Sequence, residues 1–285
     1  MSLKRVCQVL EIHRSSFYAW KKRPRSKRLE SNLGLMERIK VLHVESRGTY
    51  GSPRITAQLR REGNPCGRNR VAGLMKRAEI FGCARRKYRV MNTTDSNHNL
   101  PISPRRFQVE NPETHPIAPN QVWVSDTTYI PTWEGWLFLT IQLDVFTRKV
   151  VGYSMSDQLR SEAVWQSLQL AIQRQPGALA LNSLSLIAHS DRGRQYASDL
   201  YREKLGKLGI TPSMSRSGNC YDNAFAETFF HTLKVERIHR CRFRTRAEAK
   251  AEILDYIENW YNSRRLHSGL GYLAPNDYER QALAA

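Results

Sequence analysis

The spacing of apolar residues along the chain changes near residue 120. Before that point they recur at helical intervals: Val71, Leu74, Met75 and Ala78 form one stripe of a helix whose other faces are basic. After it come three short β-rich runs with brief connections, QVWVSDTTYI, WLFLTIQLD and KVVGYSM. The pattern therefore predicts a helical first part and a sheet-based second part.

The second part continues with alternating helices and strands. The spacing predicts a helix over 161–174, the apolar strand SLSLIAH at 183–189, a helix over about 195–207, a short strand at Ile210 and a helix beginning near Asp222. An antiparallel meander followed by such alternation indicates an α/β fold with a mixed sheet covered by helices on both faces. Farther on, Thr245 and Glu248 form a capping box, which predicts a last packing helix.

The first part contains two candidate helix-turn-helix units. In the first unit, residues 2–10 form a short helix, and Ser15 or Ser16 caps the next one. In the second unit, Ser52 is the expected cap and Pro53 the first helical residue. A helical hairpin whose arginines are merely solvated is the alternative.

Composition divides the chain further. Residues 91–119 combine five prolines with Asn, Ser and Thr and show no period, which is typical of a linker. The predicted organisation is therefore a basic all-α helix-turn-helix region at 1–90, this linker, an α/β core at 120–240, and a helical extension at 241–285 packed on the core.

The positive charge is concentrated at the front of the chain. The net charge is +19, and residues 1–110 hold 25 Lys and Arg against 8 Asp and Glu, whereas the remaining residues hold 20 against 18. A basic front joined to a nearly neutral domain is typical of a phosphate-binding module attached to a working domain. We therefore expect nucleic-acid-binding side chains in the helical part, at Arg68, Arg70, Lys76, Arg77, Arg85, Arg86 and Lys87.

Membrane proteins and disulfide scaffolds are disfavoured. No run approaches the roughly 18 apolar residues that span a bilayer, and the N-terminus lacks the apolar stretch of a signal peptide, so we expect a cytoplasmic protein. The five cysteines are widely spaced and include no C-x-x-C pair. This spacing argues against a disulfide scaffold or a zinc ribbon and predicts reduced thiols.

Three acidic residues stand where the predicted elements would bring them together. Asp126 lies within the first strand, Asp191 directly follows the strand SLSLIAH, and Glu227 lies on the third helix of the core. Active sites of open α/β sheets are built at strand ends, and a carboxylate within a buried strand needs a partner. Three carboxylates with no neighbouring cluster of His or Cys favour Mg²⁺ or Mn²⁺, and two such ions can promote phosphoryl transfer. Taken singly, each acid also has an ordinary alternative: Asp126 as a hydrogen-bonded strand residue, Asp191 as a loop residue and Glu227 as a solvated helix residue.

Longer motifs surround these acids. They are VWVSDTTYI, LDVFTRKVVGYSM, HSDRGRQY, SMSRSGNCYDNAFAETFFHTLK and YNSRRLHSGLGYLAPNDYE, and with SRGTYGSPRI in the helical part they follow in order from about residue 40 to 280. Together they closely resemble the second-reading-frame transposases of the IS-three family of bacterial insertion sequences, whose catalytic core is of the retroviral-integrase type.

The resemblance implies an RNase H-like core with an aspartate, aspartate, glutamate triad. The triad falls on Asp126, Asp191 and Glu227, with the family's characteristic 35 residues between the last two. Lys234 matches the family's basic residue seven positions after the glutamate; on a helix it would share the face of Glu227, about 10 Å away, and could hold DNA phosphate. The resemblance further implies that the triad binds Mg²⁺, replaceable by Mn²⁺, with two ions per site.

The implied reaction is metal-dependent DNA cleavage and transfer of a 3′-hydroxyl end to a phosphodiester, without a covalent protein–DNA intermediate. The family also implies a copy-out, paste-in route through circular DNA. Expected partners are element ends and target DNA, further copies of the chain, and the first-reading-frame product or its frameshift fusion, since no heptad zipper precedes the core. The alternatives are an RNase H-like nuclease and a non-catalytic DNA-binding regulator derived from a transposase.

Other polar residues in these motifs have two interpretations. A supporting role at the site and a purely structural role are both open for His189, Arg192, Asp144, Tyr221 and Asn223. A basic patch near DNA and a structural turn are both open for Arg264, Arg265 and His267.

Overall fold

The computed structural model describes residues 2–83, 101–175, 186–216 and 223–284. The chain divides into two compact units, Met1–Gly82 and Cys83–Ala285. Several residues singled out from the sequence lie outside the described ranges, namely Arg85, Arg86, Lys87, Cys220, Tyr221 and Asp222. None of the helices in the described ranges is both long enough and apolar enough to cross a bilayer.

The first unit is all-helical. Its helices are α1 (Leu3–Val9), α2 (Arg14–Lys22), α3 (Lys27–Glu45), α4 (Ser52–Arg61) and α5 (Arg68–Arg77). Its core includes the stripe predicted for α5, and Val71, Leu74 and Met75 are buried with Ile39 of α3 and Ile55 of α4. The long helix α3 was not apparent from the sequence pattern, because its basic start and Gly34 obscure the apolar period.

The predicted caps of this unit are wrong by one to three residues. Helix α2 begins at Arg14 after His13, whose ring nitrogen Nδ1 bonds to the Ser15 hydroxyl at 2.8 Å. Helix α4 already includes Ser52, and Gly51 occupies the cap position without a side-chain hydrogen bond. The side chain that does cap a helix here is Ser26, which accepts a hydrogen bond from the third residue of α3 at 3.2 Å.

The second unit is built on a five-stranded mixed sheet. Its strands are β1 (Val122–Thr132), β2 (Gly135–Asp144), β3 (Val150–Ser156), β4 (Ile187–Ser190) and β5 (Thr211–Met214), in the order β3-β2-β1-β4-β5. The first three form the predicted antiparallel meander, and β4 and β5 run parallel to β1. This arrangement is the RNase H-like α/β fold.

Helices cover both faces of the sheet. On one face lie α6 (Ser161–Arg174), α7 (Arg194–Ala197) and α8 (Asp199–Lys207), which share a core with Trp123 of β1. The backbone of α6 approaches β3 so closely that a Cβ on Gly152 would lie 2.2 Å from the Ser167 carbonyl oxygen, so only glycine fits there. The opposite face of β2 is also fully buried, at Leu139 and Ile141. Helices α9 (Ala224–Glu236) and α10 (Arg246–Asp255) contact β1 and β2.

Part of the segment predicted to be a linker is packed on the sheet. The Ser213 hydroxyl on β5 accepts hydrogen bonds from the backbone N–H groups of Arg106 and Phe107, at 2.9 and 3.2 Å. The Phe107 ring is fully buried, 5.4 Å from the ring of His189. The prolines and the lack of an apolar period indicated a linker, but they could not reveal that Phe107 is buried against the sheet.

The C-terminal residues are tied to the edge of the sheet. Helix α10 has the predicted cap residue: Thr245 accepts from the N–H of Glu248 at 3.1 Å. The Glu248 carboxylate reaches back as expected, but to the N–H of Arg244, one residue before the cap, at 2.8 Å. A π-helical stretch, Tyr256–Tyr261, follows, and Asn262 exchanges two hydrogen bonds with the backbone of Val150 on β3. The chain ends in α11 (Pro275–Ala284).

Candidate active site

Asp126 and Asp191 meet because β1 and β4 are adjacent parallel strands. The last paired residues of the two strands are Ser125 and Ser190, so each aspartate is the next residue beyond the pair. Neighbouring strands lie about 4.8 Å apart, so the two carboxylates lie close together at the carboxyl ends of these two strands. The parallel pairing therefore joins two acids that are far apart in sequence.

Glu227 reaches the same place from helix α9. It lies in the first turn of that helix, whose inner face is buried through Ala226, Phe229 and Phe230. The side chain of Glu227 is exposed, in contrast to these neighbours. Its predicted cap, Asp222, is outside the described residues, and in the structure Asn223 occupies the cap position without a side-chain cap hydrogen bond.

The three carboxylates influence one another electrostatically. The pKa of Asp126 is raised well above its usual value, first by burial and then by the negative charge of Asp191, with a smaller contribution from Glu227. The pKa of Glu227 is also raised, by partial removal from water and by the charge of Asp191. A hydrogen bond from the backbone N–H of Thr127 to Asp126, at 2.8 Å, opposes the rise in the pKa of Asp126. The backbone N–H of Gly193 donates to Asp191 at 2.9 Å.

Lys234 lies beside this acidic cluster. Its ammonium nitrogen is 5.1 Å from the centre of the Tyr129 ring on β1. Its pKa is lowered by burial, and this lowering is opposed by the charge of Asp126. Lys234 is therefore half-buried between an aromatic ring and an acid, and its contact with DNA phosphate stays a prediction.

Tyr196 supports the site from beneath the sheet, and sequence reasoning missed it. It is fully buried on α7, and its hydroxyl lies 3.2 Å from the Ser125 hydroxyl and 3.4 Å from the Thr127 hydroxyl, the residues on either side of Asp126. Asp126 and Asp191 both line one small pocket. No local pattern could have identified Tyr196, since its role depends on the packing of α7 under β1.

The chemistry of the acids fits a hard divalent cation. All the donors are carboxylate oxygens, and a cation would relieve the mutual repulsion that raises the pKa values of Asp126 and Glu227. In the described ranges, however, no three His, Cys, Asp or Glu side chains are gathered closely enough to hold one metal ion. Binding an ion therefore requires the carboxylates to draw together.

Three residues that could have supported the site have structural roles instead. His189 is fully buried, and its ring nitrogens lie 2.9 and 3.1 Å from the hydroxyls of Ser213 and Ser215. Asp144, at the end of β2, accepts hydrogen bonds from Asn120 and Thr147 and closes the β2–β3 turn. Burial raises the pKa of Asp144 to about 6. Arg192 donates from Nε to the Ser215 carbonyl oxygen at 2.9 Å.

The basic C-terminal motif is mainly structural. Arg265 is buried and binds Glu236, the last residue of α9, with nitrogen–oxygen distances of 2.6 to 3.0 Å. The Glu236 carboxylate also accepts from the Tyr256 hydroxyl at 2.9 Å and from the Trp260 indole N–H at 3.4 Å. The ring of His267 packs edge-on against Tyr261, and Arg264 is exposed. Sequence reasoning missed Glu236, which carried no spacing signal toward Arg265.

The basic candidates on α5 fall into two groups. Arg68, Lys76 and Arg77 are exposed. Arg70 is half-buried and donates hydrogen bonds to Asn32 at 2.8 Å and to Ser31 at 2.9 Å, so it links α5 to α3. Their contact with nucleic acid stays a prediction. The described cysteines are all free thiols: Cys7, Cys66, Cys83 and Cys241.

Known families and relatives match nearly the whole chain. An integrase core domain matches residues 116–220, a second integrase core domain model matches 227–283, and an HTH-like domain matches 30–88. The chain is 43% identical to the uncharacterized 31 kDa protein of insertion element IS600 from Shigella sonnei, over 95% of this chain and 96% of that protein.

Two further relatives carry the word transposase in their names. The chain is 40% identical to the transposase for insertion sequence element IS904 of Lactococcus lactis subsp. lactis, over 91% of this chain and 98% of the relative. It is 36% identical to transposase InsF for insertion sequence IS3A of Escherichia coli, over 99% and 96%.

Solved structures with a similar arrangement are more distant. A simian T-cell lymphotropic virus intasome in complex with PP2A regulatory subunit B56 gamma matches with 15% identity and a TM-score of 0.47, over 85% of this chain and 74% of that one. The HTLV-2 integrase catalytic core domain with magnesium, in its dimeric form, matches with 17% identity and a TM-score of 0.39, over 58% and 99%.

Proposed function

The chain belongs to the IS3 family of insertion-sequence transposases, and from this premise we propose that Asp126, Asp191 and Glu227 are its catalytic carboxylates. A transposase of this kind is a polynucleotidyl transferase. We propose that this one cleaves at element ends and joins the resulting 3′-hydroxyl to a phosphodiester of target DNA. The observation that carries the proposal is the convergence of three acids from β1, β4 and α9: burial raises the pKa of Asp126 and of Glu227, and the charge of Asp191 raises both further.

The acids are proposed to act by holding divalent metal. Asp126, Asp191 and Glu227 would hold Mg²⁺, two ions per site and replaceable by Mn²⁺, and the bound metal would activate a hydroxyl nucleophile and stabilise the leaving oxygen. The carboxylates would draw together as the cations relieved their repulsion. Tyr196 holds the backbone on either side of Asp126 in position through the Ser125 and Thr127 hydroxyls.

Lys234 is proposed to bind a phosphate of the reacting DNA. Burial lowers the pKa of this lysine while the charge of Asp126 sustains its protonated form. The aromatic face of Tyr129 fixes the ammonium group near the acids. A phosphate held there would lie beside the acidic cluster, which is where the scissile bond must be oriented.

The remaining partners follow from the same family. The helical first unit is proposed to bind DNA through Arg68, Lys76 and Arg77, with Arg70, Arg85, Arg86 and Lys87 as further candidates. Phosphate contacts of this kind supply affinity, whereas sequence reading requires contacts to base edges. The proposed assembly is a homo-oligomer on two element ends, helped by the first-reading-frame product or its fusion.

Joining of DNA ends tests this function directly. A labelled DNA carrying the exposed 3′ end of the source element is incubated with target DNA and Mg²⁺, and the joined product is counted for wild type, Asp126→Asn, Asp191→Asn and Glu227→Gln. We expect joining by wild type and a loss of at least about a thousandfold, equivalent to roughly 4 kcal/mol, in each variant. Asp199→Asn is the matched control, because its carboxylate is exposed and lies at the start of α8.

Other outcomes distinguish the alternatives. If wild type only nicks DNA, in the presence of the first-frame protein as well, the chain acts as a nuclease. If it binds DNA but neither cuts nor joins under those conditions, it acts as a regulator. If joining survives all three substitutions, the assignment of the catalytic acids is wrong.

A further inference from the structure

The turn between β1 and β2 exposes two large aromatic side chains. The strands pair up to Thr132 and Gly135, so Trp133 and Glu134 form a two-residue loop. Trp133 is 73% exposed and Trp136 is 50% exposed. Exposed indoles at the tip of a hairpin are costly in water, and a cluster of them indicates a surface that contacts something else.

Basic side chains lie beside these rings. The segment RCRFRTR places arginine at every second position, and because Phe243 points inward and is buried, the alternation puts Arg242 and Arg244 on the exposed side. The guanidinium of Arg244 lies 5.9 Å from the centre of the Trp133 ring. Arg246 donates from Nε to the carbonyl oxygen of Trp136 at 3.1 Å. We call Trp133, Trp136, Arg242, Arg244 and Arg246 the hairpin surface.

The two acids near this surface are engaged by backbone groups. Glu134 accepts a hydrogen bond from the N–H of Arg246, and Glu248 accepts one from the N–H of Arg244, both at 2.8 Å. The backbone N–H of Trp133 donates to the carbonyl oxygen of Phe243 at 3.1 Å. These contacts fix the hairpin tip to the arginine segment, so the rings and the guanidinium groups form one pre-organised surface.

A chain of contacts joins the hairpin surface to the acidic site. The ring of Trp136 packs edge-on against Tyr129, with 4.9 Å between the ring centres. Tyr129 in turn lies under the ammonium group of Lys234, which is close enough to Asp126 for their charges to interact. Beyond Ser125, β1 no longer pairs with β4. The stretch of β1 that is not paired with β4 therefore runs from Asp126 toward the hairpin tip.

We propose that the hairpin surface binds unpaired nucleotides of the DNA strand that enters the acidic site, with bases stacking on Trp133 and Trp136 and phosphates meeting Arg242, Arg244 and Arg246. Alternating aromatic and basic groups are what single-stranded nucleic acid requires, because every base has a face that stacks on an indole and every phosphate carries a charge. The inference rests on the function proposed above in one respect: the DNA strand held by the hairpin surface is the one that leads to the catalytic acids.

The distance from the acidic site to the hairpin surface sets the length of the single-stranded DNA used to test the proposal. From Asp126 to Thr132, its last residue, β1 advances by about 20 Å, at roughly 3.3 Å per residue. At the stacked spacing of about 3.4 Å per nucleotide, this distance corresponds to roughly six nucleotides. The matching probe is a duplex with a single-stranded extension of six thymidines, and its control is the same duplex with a blunt end.

The experiment measures binding of both DNAs by the full chain in EDTA, where no metal-dependent chemistry proceeds. Wild type is expected to bind the extended duplex more tightly than the blunt one. Trp133→Leu and Trp136→Leu should each reduce the affinity for the extended duplex about tenfold, the effect of losing one base–aromatic stack, and leave the blunt duplex unaffected. Trp133→Phe should retain most of the preference, because it keeps an aromatic face.

Two matched variants show whether the effect is local and specific. Trp165→Leu removes another tryptophan whose ring carries a cation, the Lys204 ammonium at 4.4 Å, and should leave the preference unchanged. Arg244→Gln should weaken binding to the extended duplex and reduce its dependence on salt. Because Trp133, Trp136 and Arg244 are exposed, thermal unfolding of these variants should match wild type.

Three results would overturn the inference. One is a wild type that binds both DNAs equally. Another is a Trp133→Leu, Trp136→Leu double variant that keeps the preference or loses both DNAs equally. The third is a double variant that binds DNA as wild type does but no longer self-associates, since the surface would then be a contact between copies of the chain.

The test is independent of catalysis. A wild type that shows the tryptophan-dependent preference but joins no DNA would leave this inference standing and overturn the proposed function. Joining by wild type without any preference for the extended duplex would overturn only the inference.

Discussion

The two ends of helix α9 carry glutamates in opposite situations. Glu236, at its last residue, is buried and bound by Arg265, Tyr256 and Trp260. Glu227, in its first turn, is exposed, and its pKa is raised by partial burial and by the charge of Asp191. The charge of Glu236, at the C-terminal end, is therefore compensated by its partners, whereas the charge of Glu227, at the N-terminal end, is disfavoured by its surroundings.

The comparison shows how this helix separates anchoring from chemistry. A buried ion pair with all its hydrogen bonds made is costly to break, because removing one partner leaves the other charged and unpaired. Clustered carboxylates that repel one another lower stability but are suited to bind a cation. The C-terminal end of α9 is therefore built to stay in place, while its N-terminal end remains available for reaction.

The largest expected effect comes from removing charge at the reactive end. Asp126→Asn should reduce joining by at least about a thousandfold, or roughly 4 kcal/mol, and raise the free energy of unfolding without metal at pH 8. Because the folded-state pKa of Asp126 is raised, its contribution to stability is present below the usual pKa of an aspartate and is lost as the pH rises through the folded-state value. We therefore expect Asp126→Asn to be more stable than wild type at pH 8.

Urea unfolding at pH 8 and pH 4 checks this prediction. The gain should shrink at pH 4, and Mg²⁺ should stabilise wild type more than Asp126→Asn. Asp199→Asn should behave as wild type in each measurement. A variant that is less stable than wild type at pH 8 would show that Asp126 is structurally required and would remove the contrast between the two ends.

The next effect comes from breaking the anchored end. Glu236→Gln should lower the free energy of unfolding by about 3–5 kcal/mol, because Arg265 then stays charged and buried without its partner. The side chains of Arg265 and Glu236 are only 6% and 5% exposed, so water cannot replace the lost contact. Under conditions where the variant remains folded, joining per folded molecule should stay within a few-fold of wild type.

The double variant Glu236→Gln, Arg265→Met is the control for this pair. It removes the unpaired charge while the glutamine oxygen can still accept from Tyr256, so it should be more stable than Glu236→Gln alone. Urea midpoints of the three proteins decide this. Equal stability of the single and double variants would mean that unpaired charge is not the source of the loss.

A third effect tests whether a buried acid outside the site behaves like those within it. Burial raises the pKa of Asp144 from 3.8 to about 6, against the hydrogen bonds from Thr147 and Asn120. Its contribution to stability is therefore complete below about pH 4 and is lost as the pH rises through about 6. The total is roughly 3 kcal/mol, at about 1.4 kcal/mol per pKa unit.

Asp144→Asn isolates this contribution because asparagine does not titrate. The difference in unfolding free energy between wild type and the variant should fall by roughly 3 kcal/mol between pH 4 and pH 7. Joining activity should follow only the folded fraction, since Asp144 closes a turn. A flat difference across this pH range would contradict the raised pKa.

The smallest effect concerns the same kind of ion pair near the surface. Arg38 binds Glu62 through two hydrogen bonds of 2.7 and 2.6 Å, in a geometry similar to that of Arg265 with Glu236. The side chain of Arg38 is 36% exposed and that of Glu62 is 22% exposed, so water screens their charges. Glu62→Gln should cost about 1 kcal/mol or less. A double-mutant cycle on both pairs measures how much burial alone contributes, and equal coupling energies would contradict this explanation.

Local structure could be predicted from the sequence wherever a periodic pattern dominated. The meander of β1, β2 and β3 and the bounds of α6 follow the pattern of apolar residues, and the helix cap at Thr245 was also predicted. The caps of α2 and α4 were wrong, because several neighbouring residues offer similar capping side chains and only the backbone geometry selects one.

Contacts between distant residues could not be predicted in the same way. Arg265 was open to interpretation as a DNA-binding residue, and its pairing with Glu236 across 29 positions leaves no periodic trace. Tyr196 and Phe107 were missed for the same reason, since their roles depend on which strand they pack against.

The sequence by itself determined most of the helical and strand segments, though not α3, together with the basic front and the identity of the three candidate acids, because these depend on local pattern, composition and motif. Only the tertiary structure decided which charges meet. The parallel pairing of β1 with β4 brings Asp126 to Asp191, and the packing of α9 adds Glu227 at one end and buries Glu236 at the other. Compensation of a charge depends on its neighbours in space, and those neighbours are chosen by the fold.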